Sequence, residues 1–430
     1  MKSLSNYAFY LFLLLLLLSI TLPLGAQTGC NTGITLSTQA EVDAFPYSGV
    51  FNGSLQIGDP AVVSNITNLD ALSGLTGITN ALSIIDNPSL DDISGLSNLT
   101  FLGQGGCQSQ RLTISRNPQL SDLSAFAGLS LSPASRSVEL RSLPLVTSLS
   151  KLRGIAGARR LILEDMTGLI NLNGLENLAA VSFIDIQNCP QLADISALAT
   201  VTESWNPANE SVIITLIKLP VLANLNGLTG LTEITTIDVE DCESLQDLTG
   251  LGNLLSISGA LRLTNNDAIN SLNGLNPDLI IGTLVSLNDN SQLSECAYQP
   301  ICEQIAEGGQ FGQVSISGNA NGCATELEIE SNCLVLPIHL KTFTAEPAGK
   351  YVRLAWQTTT EENTQNFTLE RSTDGGRTFA PIGSVAALDR RGGAAYTFLD
   401  TDLPPTRDEL FYRLQAQDFD GRTEYFGPVA

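Results

Sequence analysis

The sequence predicts a mostly β protein, in which a parallel-sheet solenoid of about 11 coils precedes an antiparallel β-sandwich. Two patterns predict this fold class. The first is a phrase such as LTISRNPQLSDL, Leu112 to Leu123, which recurs along the chain. The second is an alternation of polar and apolar residues that replaces the phrase after residue 336. Repetition at a near-constant spacing indicates stacked supersecondary units, and short alternating runs between turn signals indicate antiparallel strands.

The recurring phrase follows the template L-x-I-x-x-N-P-x-L-x-[ND]-L-x-[GA]-L, and successive matches begin 23 to 30 residues apart. Positions 1 and 3 are aliphatic with a polar residue between them, which is typical of a short half-buried strand. Because one coil cannot bury its leucines alone, the coils must stack as in a leucine-rich-repeat or β-helix-like solenoid. The eleven matches begin at Leu55, Leu82, Leu112, Val138, Leu161, Ile184, Ile214, Ile237, Leu261, Val285 and Val314.

Position 6 is expected to satisfy the backbone of the turn that follows each strand. It is asparagine in several coils, and a buried asparagine can bond the polar groups that a turn leaves unpaired. Cys189 and Cys242 replace it in two coils as small buried residues. After the turn, leucines recur every three residues, which predicts an extended or tight-helical return path. Glycines such as Gly95 recur where the backbone must approach a neighbour closely.

Three segments are expected: a signal peptide over 1–26, the solenoid over 27–336 and the sandwich over 337–430. The first begins with Lys2, continues with the leucine-rich run from Leu11 to Leu18, and offers a cleavage point after Ala26. The third contains about seven short alternating strands, with Trp356 and Tyr412 as expected core aromatics. Export makes disulfides permissible, and no second segment is apolar and long enough to span a membrane.

The ends of the solenoid carry a family resemblance. The opening ITLSTQAEVDAF, Ile34 to Phe45, and the closing CAYQPICEQIAEGGQFGQVSISGNANGC, Cys296 to Cys323, resemble the receptor L-domain family. That family includes ligand-binding lobes of the insulin and epidermal growth factor receptors and bacterial surface proteins, so the resemblance implies recognition of a ligand or partner. The bacterial pattern often has a second cysteine near Phe45, which is absent here, so the partners of Cys30 and Cys107 stay open.

The last segment resembles the fibronectin type III-like domain that precedes type IX secretion sorting domains in bacterial surface proteins. In those proteins the sorting domain follows directly, whereas this chain ends at Ala430. A truncated sequence and a different export route are both consistent with that end. The stretch STDGGRTF, Ser372 to Phe379, fits an Asp-box pattern and is expected to stabilise a hairpin rather than to form a site.

The cysteines beyond residue 290 are expected to form two disulfides that pin the last coil. The sequence alone does not fix their pairing. The favoured pairing is Cys296 with Cys323 and Cys302 with Cys333. Cys189 and Cys242 are two coils apart, about 9–10 Å, which exceeds disulfide reach. They are therefore expected to be free, buried thiols.

Charge and composition narrow the functional classes. The net charge is −23, and residues 161–336 contain only Lys218 and Arg262 as bases against 22 acids. Nucleic acid is therefore a poor partner, whereas a basic partner or divalent cations such as calcium would fit. A solvated acidic surface without a ligand is the alternative. The chain has one histidine, His339, so the usual histidine-dependent catalytic arrangements are absent, and an enzyme is not expected.

The expected function is exported binding or adhesion through variable strand positions 2, 4 and 5, or through loop insertions. These positions change from mixed charge at Thr113, Ser115 and Arg116 to strongly acidic further along. Insertions at 103–110 and 203–211 are rival contact loops, the second with Trp205 as its anchor. A structural surface scaffold and an accessory module of a polysaccharide-acting system are the alternatives; the oligomeric state stays open. The candidate binding residues are Glu164, Asp165, Asp185, Gln187, Lys218, Asp238, Glu240, Asp241 and Trp205.

Overall fold

The structure is a computed structural model. It describes residues 33–103, 110–131, 137–206, 210–306, 313–333, 340–359, 361, 364–388, 393–405, 409–419 and 423–430. The predicted signal peptide, Cys30, Cys107, His339 and most of the 103–110 insertion lie outside these residues. The chain divides into two compact units, Met1–Cys242 and Glu243–Ala430.

The first unit is built on parallel strands. Nine of them form a continuous parallel sheet in the order β1-β3-β5-β7-β9-β10-β11-β12-β14, and β2-β4-β6-β8 form a second sheet of short strands. One helix, α1 (Gln39–Asp43), follows the first strand. The strands are β1 (Gly33–Leu36), β2 (Gly49–Phe51), β3 (Ser54–Ile57), β4 (Leu75–Ile78), β5 (Leu82–Ile85), β6 (Phe101–Leu102), β7 (Arg111–Ser115), β8 (Ser130–Leu131), β9 (Ser137–Arg141), β10 (Gly157–Glu164), β11 (Ala180–Gln187), β12 (Ile213–Ile217), β13 (Glu233–Ile234) and β14 (Thr236–Glu240).

The second unit continues with parallel strands and then changes to antiparallel ones. In it β16, β18 and β19 pair in parallel, as do β15 and β17. Its helices are α2 (Gln299–Ala306) and α3 (Glu326–Cys333). The strands are β15 (Ser256–Ile257), β16 (Ala260–Thr264), β17 (Ile280–Ile281), β18 (Leu284–Asn288), β19 (Gln313–Ser317), β20 (Leu340–Ala348), β21 (Tyr351–Thr358), β22 (Thr364–Ser372), β23 (Ala380–Ala386), β24 (Ala395–Asp400), β25 (Phe411–Asp418) and β26 (Thr423–Val429).

The predicted fold class is confirmed: a parallel β-solenoid precedes antiparallel sheets. All eleven predicted coil starts lie in strands of the long parallel ladders. Strand β1 is an addition, because the sequence pattern treated Ile34 as part of an opening segment. It pairs in parallel with β3, with Ile34 opposite Leu55, and so supplies one more strand before the first template match.

The return path contains a short 3-10 helix in six of the coils, in line with the extended or tight-helical path that the three-residue leucine spacing predicted. A side chain at template position 11 fixes the start of this turn: Asp92 Oδ1 accepts from the amide of Ser94 at 2.7 Å, and Asp194 does the same for Ser196. Part of the chain's acidity is therefore used to build turns. Gly95 is required here, because a Cβ would lie 1.8 Å from the Leu69 carbonyl oxygen. The 3-10 helices are Asp70–Leu72, Ser94–Leu96, Ser124–Phe126, Ser196–Thr200, Asn226–Leu228 and Thr249–Leu251.

The asparagines at position 6 form a buried ladder between coils. Asn117 is fully buried; its Nδ2 donates to the carbonyls of Ile84 and Ser115 at 2.9 and 3.1 Å. Its Oδ1 accepts from both the backbone and the side-chain nitrogen of Asn87 at 3.1 Å. Each such asparagine thus joins its own turn to the preceding coil, and the predicted structural role is confirmed.

Cys189 occupies template position 6 in its coil and contacts the equivalent backbone groups through weaker hydrogen bonds than the asparagines form. Its Sγ lies 3.3 Å from the Gln187 carbonyl and 3.8 Å from the Leu163 carbonyl, and the backbone of Met166 bonds to it. Cys242 makes the equivalent contacts in its coil. Both cysteines are free and buried, as predicted.

The end of the parallel region is pinned by the two predicted disulfides. Cys296 is bonded to Cys323, and Cys302 to Cys333, so the favoured pairing is confirmed. The first bond joins the segment after β18 to the segment after β19, and the second joins α2 to α3. Four buried sulfurs here also complete a core that has no further coil to cover it.

The antiparallel region contains the seven predicted strands in two sheets, β20-β21-β24 and β23-β22-β25-β26. Trp356 and Tyr412 are 1% exposed and belong to its core, as expected. The Trp356 ring stacks on Tyr396 with centroids 5.2 Å apart and meets the Phe367 ring edge-on at 5.5 Å. These aromatic contacts account for much of the apolar area that a small sandwich can bury.

Candidate functional site

Strand register places most of the predicted binding residues on one outward face of the first unit. Position 2 residues are lateral partners across β10, β11, β12 and β14, so Asp185 and Asp238 lie in one row. Position 4 residues form a parallel row that contains Glu164, Gln187 and Glu240. Lateral neighbours in a parallel sheet are about 4.8 Å apart, so Asp185 and Asp238, with Thr215 between them, are about 10 Å apart, and Glu164 and Glu240, with Gln187 and Ile217 between them, are about 14 Å apart.

Position 5 adds a third row at the carboxyl edge of the strands. It contains Asp165, Lys218 and Asp241, which directly follow β10, β12 and β14. We call the outward surface formed by the eight solenoid residues the acidic face. The acidic face consists of Glu164, Asp165, Asp185, Gln187, Lys218, Asp238, Glu240 and Asp241.

Six carboxylates and one lysine make the acidic face negative, and several of these carboxylates are held by neighbours. Glu164 forms an ion pair with Arg141. Asp165 accepts from the Ser142 hydroxyl at 3.3 Å and from the Asn188 amide. Asp185 accepts from Gln187 Nε2 at 2.6 Å. These bonds fix the side chains in place, and all six carboxylates remain partly accessible to water.

Trp205 does not belong to the acidic face. Its backbone nitrogen donates to the Ser182 hydroxyl at 3.2 Å, which places its loop at the amino end of β11. The loop is held there by an Arg159–Glu210 ion pair of 2.7 Å. On one strand Ser182 lies three residues from Asp185 and five from Gln187, which places the Trp205 backbone roughly 10 Å and 17 Å along the strand from these two acidic-face residues. The two rival contact regions are therefore separate surfaces.

Two residues expected to be exposed on this face are buried. Ile162, at position 2, is 1% exposed, and Ser115, at position 4, is 3% exposed. Ile162 lies between Glu139 and Asp185 in its row. The side chains of both flanking strands lie beside Ile162, so its position in the template alone did not decide its exposure.

Position 5 has a conformation that the template did not reveal. Asp165, Lys218 and Asp241 have φ values of 55°, 56° and 56°, in the left-handed region that favours glycine. Arg116 and Ser142 share it, at 55° and 51°. The signal for this was present at the last coil, where position 5 is Gly318 with φ 69°. The left-handed turn points these side chains along the carboxyl edge rather than back into the coil.

Two further kinds of site are a metal-ion site built from acidic side chains and a reactive cysteine thiol. Within the ranges that the structure describes, no group of three or more His, Cys, Asp or Glu side chains is arranged to hold a metal ion. Burial raises the pKa of Cys189 to about 11 and that of Cys242 to about 12. Both thiols are therefore protonated at neutral pH and lack the thiolate character that nucleophilic cysteines need.

The Asp-box segment in the sandwich has the structural role that its pattern predicted. The Thr378 hydroxyl donates to Asp374 Oδ2 at 2.6 Å, and the Thr378 amide and the Ser372 hydroxyl donate to Oδ1 at 2.9 and 2.7 Å. These bonds hold the pKa of the Asp374 carboxyl well below its usual range. The carboxylate closes its own hairpin and has no adjacent catalytic partner among the bonds described.

No helix in the described part of the chain is long and apolar enough to cross a membrane. A comparison with protein-family models and a comparison with curated proteins each found no match to this chain.

Proposed function

We propose that this is an exported binding protein that recognises a basic protein partner through the acidic face. The observation that carries the proposal is the register that places six carboxylates in three rows on one face of the sheet, separated within each row by uncharged residues or by Lys218, the one base of the set. A fixed surface of one sign attracts a partner of the other sign, speeds the encounter and sets its orientation.

Rigidity supports this proposal. The acidic face rests on strands whose inward residues are almost fully buried, such as Ile186 and Val239. Because the carboxylates are held by the backbone and by neighbours, little side-chain entropy is lost when a partner binds. The partly exposed Ile217 lies between Gln187 and Glu240 and adds apolar area inside the charged surface.

The resemblance to receptor L-domains favours the same function, since that family recognises ligands through its solenoid. The two disulfides are consistent with an oxidising, extracellular compartment. The two antiparallel sheets are compatible with a fibronectin type III-like spacer. The resemblance of the last segment to that domain supports a position at the cell surface and export by type IX secretion.

The test compares two variants of the full chain that lose the same charge. The face variant carries Glu164→Gln, Asp165→Asn, Asp238→Asn, Glu240→Gln and Asp241→Asn. The control variant neutralises five exposed acids elsewhere in the described residues: Asp91, Glu233, Glu243, Glu330 and Glu409. The probe is a basic octapeptide of alternating lysine and arginine, titrated by calorimetry at low and physiological salt.

The face variant is expected to bind the octapeptide at least about tenfold more weakly than the control variant, because close charge pairs contribute more than distant ones. Equal weakening in both variants would mean that only net charge matters. That outcome removes the acidic face as the site and leaves a structural surface scaffold as the function.

A further inference from the structure

The first unit carries an open surface cavity of about 510 Å³ whose lining includes none of the acidic-face residues. It lies at the carboxyl edge of the first coils, beside the segment 60–64. Its volume is in the range of small-ligand and peptide sites, roughly 300–1,000 Å³. Two features of its lining identify the chemistry of an occupant: an exposed apolar ledge and an oriented guanidinium.

The apolar ledge is formed by Val62 and Val63, whose exposures are 46% and 91%. The backbone that presents them is pinned: the buried Ser64 hydroxyl donates to Asn87 Oδ1 at 2.7 Å, and Asp59 Oδ1 accepts from the Ala61 amide at 2.9 Å. Pro88 and Pro118 continue the apolar lining. A fixed backbone that holds two valines in water next to two prolines indicates a contact surface for an apolar group.

The polar floor of the cavity contains an ion pair that leaves donors available. Arg116 Nε and Nη2 bond to the two oxygens of Asp86 at 2.5 and 2.6 Å. A guanidinium has five N–H groups, and these bonds use two of them. The Arg116 side chain is 54% exposed and that of Asp86 only 22%. The cavity therefore meets the cation more than the anion, and Asp86 holds the guanidinium plane in one orientation.

The ion pair is present at neutral pH. The Arg116 hydrogen bonds hold the pKa of the Asp86 carboxyl below its ordinary value. The oriented guanidinium is therefore available at neutral pH, where a ligand carboxylate is also ionised.

The floor is elongated. Asp86, Arg116 and Ser142 each follow a strand, and the residues before them, Ile85, Ser115 and Arg141, are lateral partners in adjacent strands. Two coil spacings separate Asp86 from Ser142, about 10 Å. Three residues of extended chain cover that length.

We propose that this cavity binds the carboxyl-terminal end of an extended apolar peptide. The terminal carboxylate accepts from the remaining N–H groups of Arg116, and the aliphatic side chains pack on the valine and proline lining. Charge selects the carboxylate, and the length of the floor selects a peptide over a short free acid. The proposal is independent of the acidic face and of its basic partner.

The test titrates the full chain with N-acetylated tripeptide pools that carry valine, leucine or isoleucine at the last two positions. Each pool is made with a free carboxyl terminus and as the C-terminal amide, and 4-methylpentanoate serves as the free-acid arm. Binding is measured by saturation-transfer NMR and calorimetry. Free-carboxyl pools are expected to bind at least about tenfold more tightly than the amides and than the free acid, because a charge-assisted pair is lost in the amides.

Two variants locate the site, each with a matched control. Val63→Asp and Arg116→Gln are expected to weaken peptide binding at least about tenfold. Val221→Asp, at an exposed valine outside the cavity, and Lys151→Gln, at an exposed lysine outside the cavity, are expected to leave it unchanged. Val63 is almost fully exposed, so its variant keeps the fold, which a melting curve verifies.

Three results would overturn the proposal. They are no binding by any free-carboxyl pool, equal binding of acids and amides, and equal losses in the cavity and control variants. If 4-methylpentanoate bound more tightly than the peptides, the ligand would be a free aliphatic acid and not a peptide terminus. A negative result with the tripeptides does not affect the interpretation of the octapeptide titration, because none of the residues changed in the face variant lines the cavity.

Discussion

The asparagine ladder offers the sharpest test of what holds the coils together. Asn117→Ala removes four hydrogen bonds from a side chain that is fully buried, two to carbonyls and two from Asn87. A net hydrogen bond contributes about 0.5–1.5 kcal/mol, and leaving a buried partner unsatisfied adds to the loss. The expected local destabilisation is about 3–4 kcal/mol.

Hydrogen exchange is the suitable assay, because a repeat chain with a second region does not unfold in one step. The backbone N–H of Asn87 loses its acceptor in Asn117→Ala and is expected to exchange about a hundredfold faster or more. The control is Asn98→Ala, which removes one exposed bond of 2.8 Å to the Ser73 carbonyl. If Asn117→Ala changes exchange no more than Asn98→Ala, the ladder does not stabilise the stack.

Three further predictions follow from the same coil positions. Cys189→Asn should stabilise its coil by about 1 kcal/mol and Cys189→Ala should destabilise it, because an amide meets the same backbone partners better than a thiol; urea melts of both variants decide this. Native Cys189 and Cys242 should resist iodoacetamide at pH 8, and rapid alkylation of the native chain would contradict their burial. Because burial raises the pKa of both thiols from 9.0, their contribution to the free energy of unfolding is complete below pH 9 and is lost as the pH rises towards 11–12. Lys218→Gly should stabilise the protein by about 0.5–1 kcal/mol, because glycine relieves the left-handed strain but loses more entropy on folding. Lys218→Ala keeps the strain and should not stabilise the protein, so equal melting temperatures for the two variants would refute strain at this position.

The solenoid could be predicted because its signals are local and repeated. Aliphatic residues at positions 1 and 3, asparagine at position 6 and leucines every third residue each specify one step of a coil, and the structure follows them at all eleven starts. The pairing of the four late cysteines, which the sequence alone did not fix, was favoured in advance and is confirmed. Trp356 and Tyr412 were identified as core residues for a similar reason, as aromatic residues inside alternating runs.

Other features could not be predicted from the residues of one coil. The burial of Ile162 depends on the side chains of strands that are remote in sequence, and the distance between Trp205 and the acidic rows depends on which strand end anchors its loop. The cavity beside Val63 is lined by the segment 60–64 of one coil and by residues that follow the strands of the next three coils. Such properties come from lateral neighbours, which one strand's residues do not encode.

By itself the sequence determined the repeat, the direction in which each strand residue points, and the negative charge of the middle coils. Those properties follow from a period of two along a strand and from composition, which are local. Only the tertiary structure decided that Arg116 meets Asp86 across 30 residues, that position 5 adopts a left-handed conformation, and that Asp185 and Asp238 lie in one row. Register between coils makes these contacts, and register is fixed by packing of the whole stack.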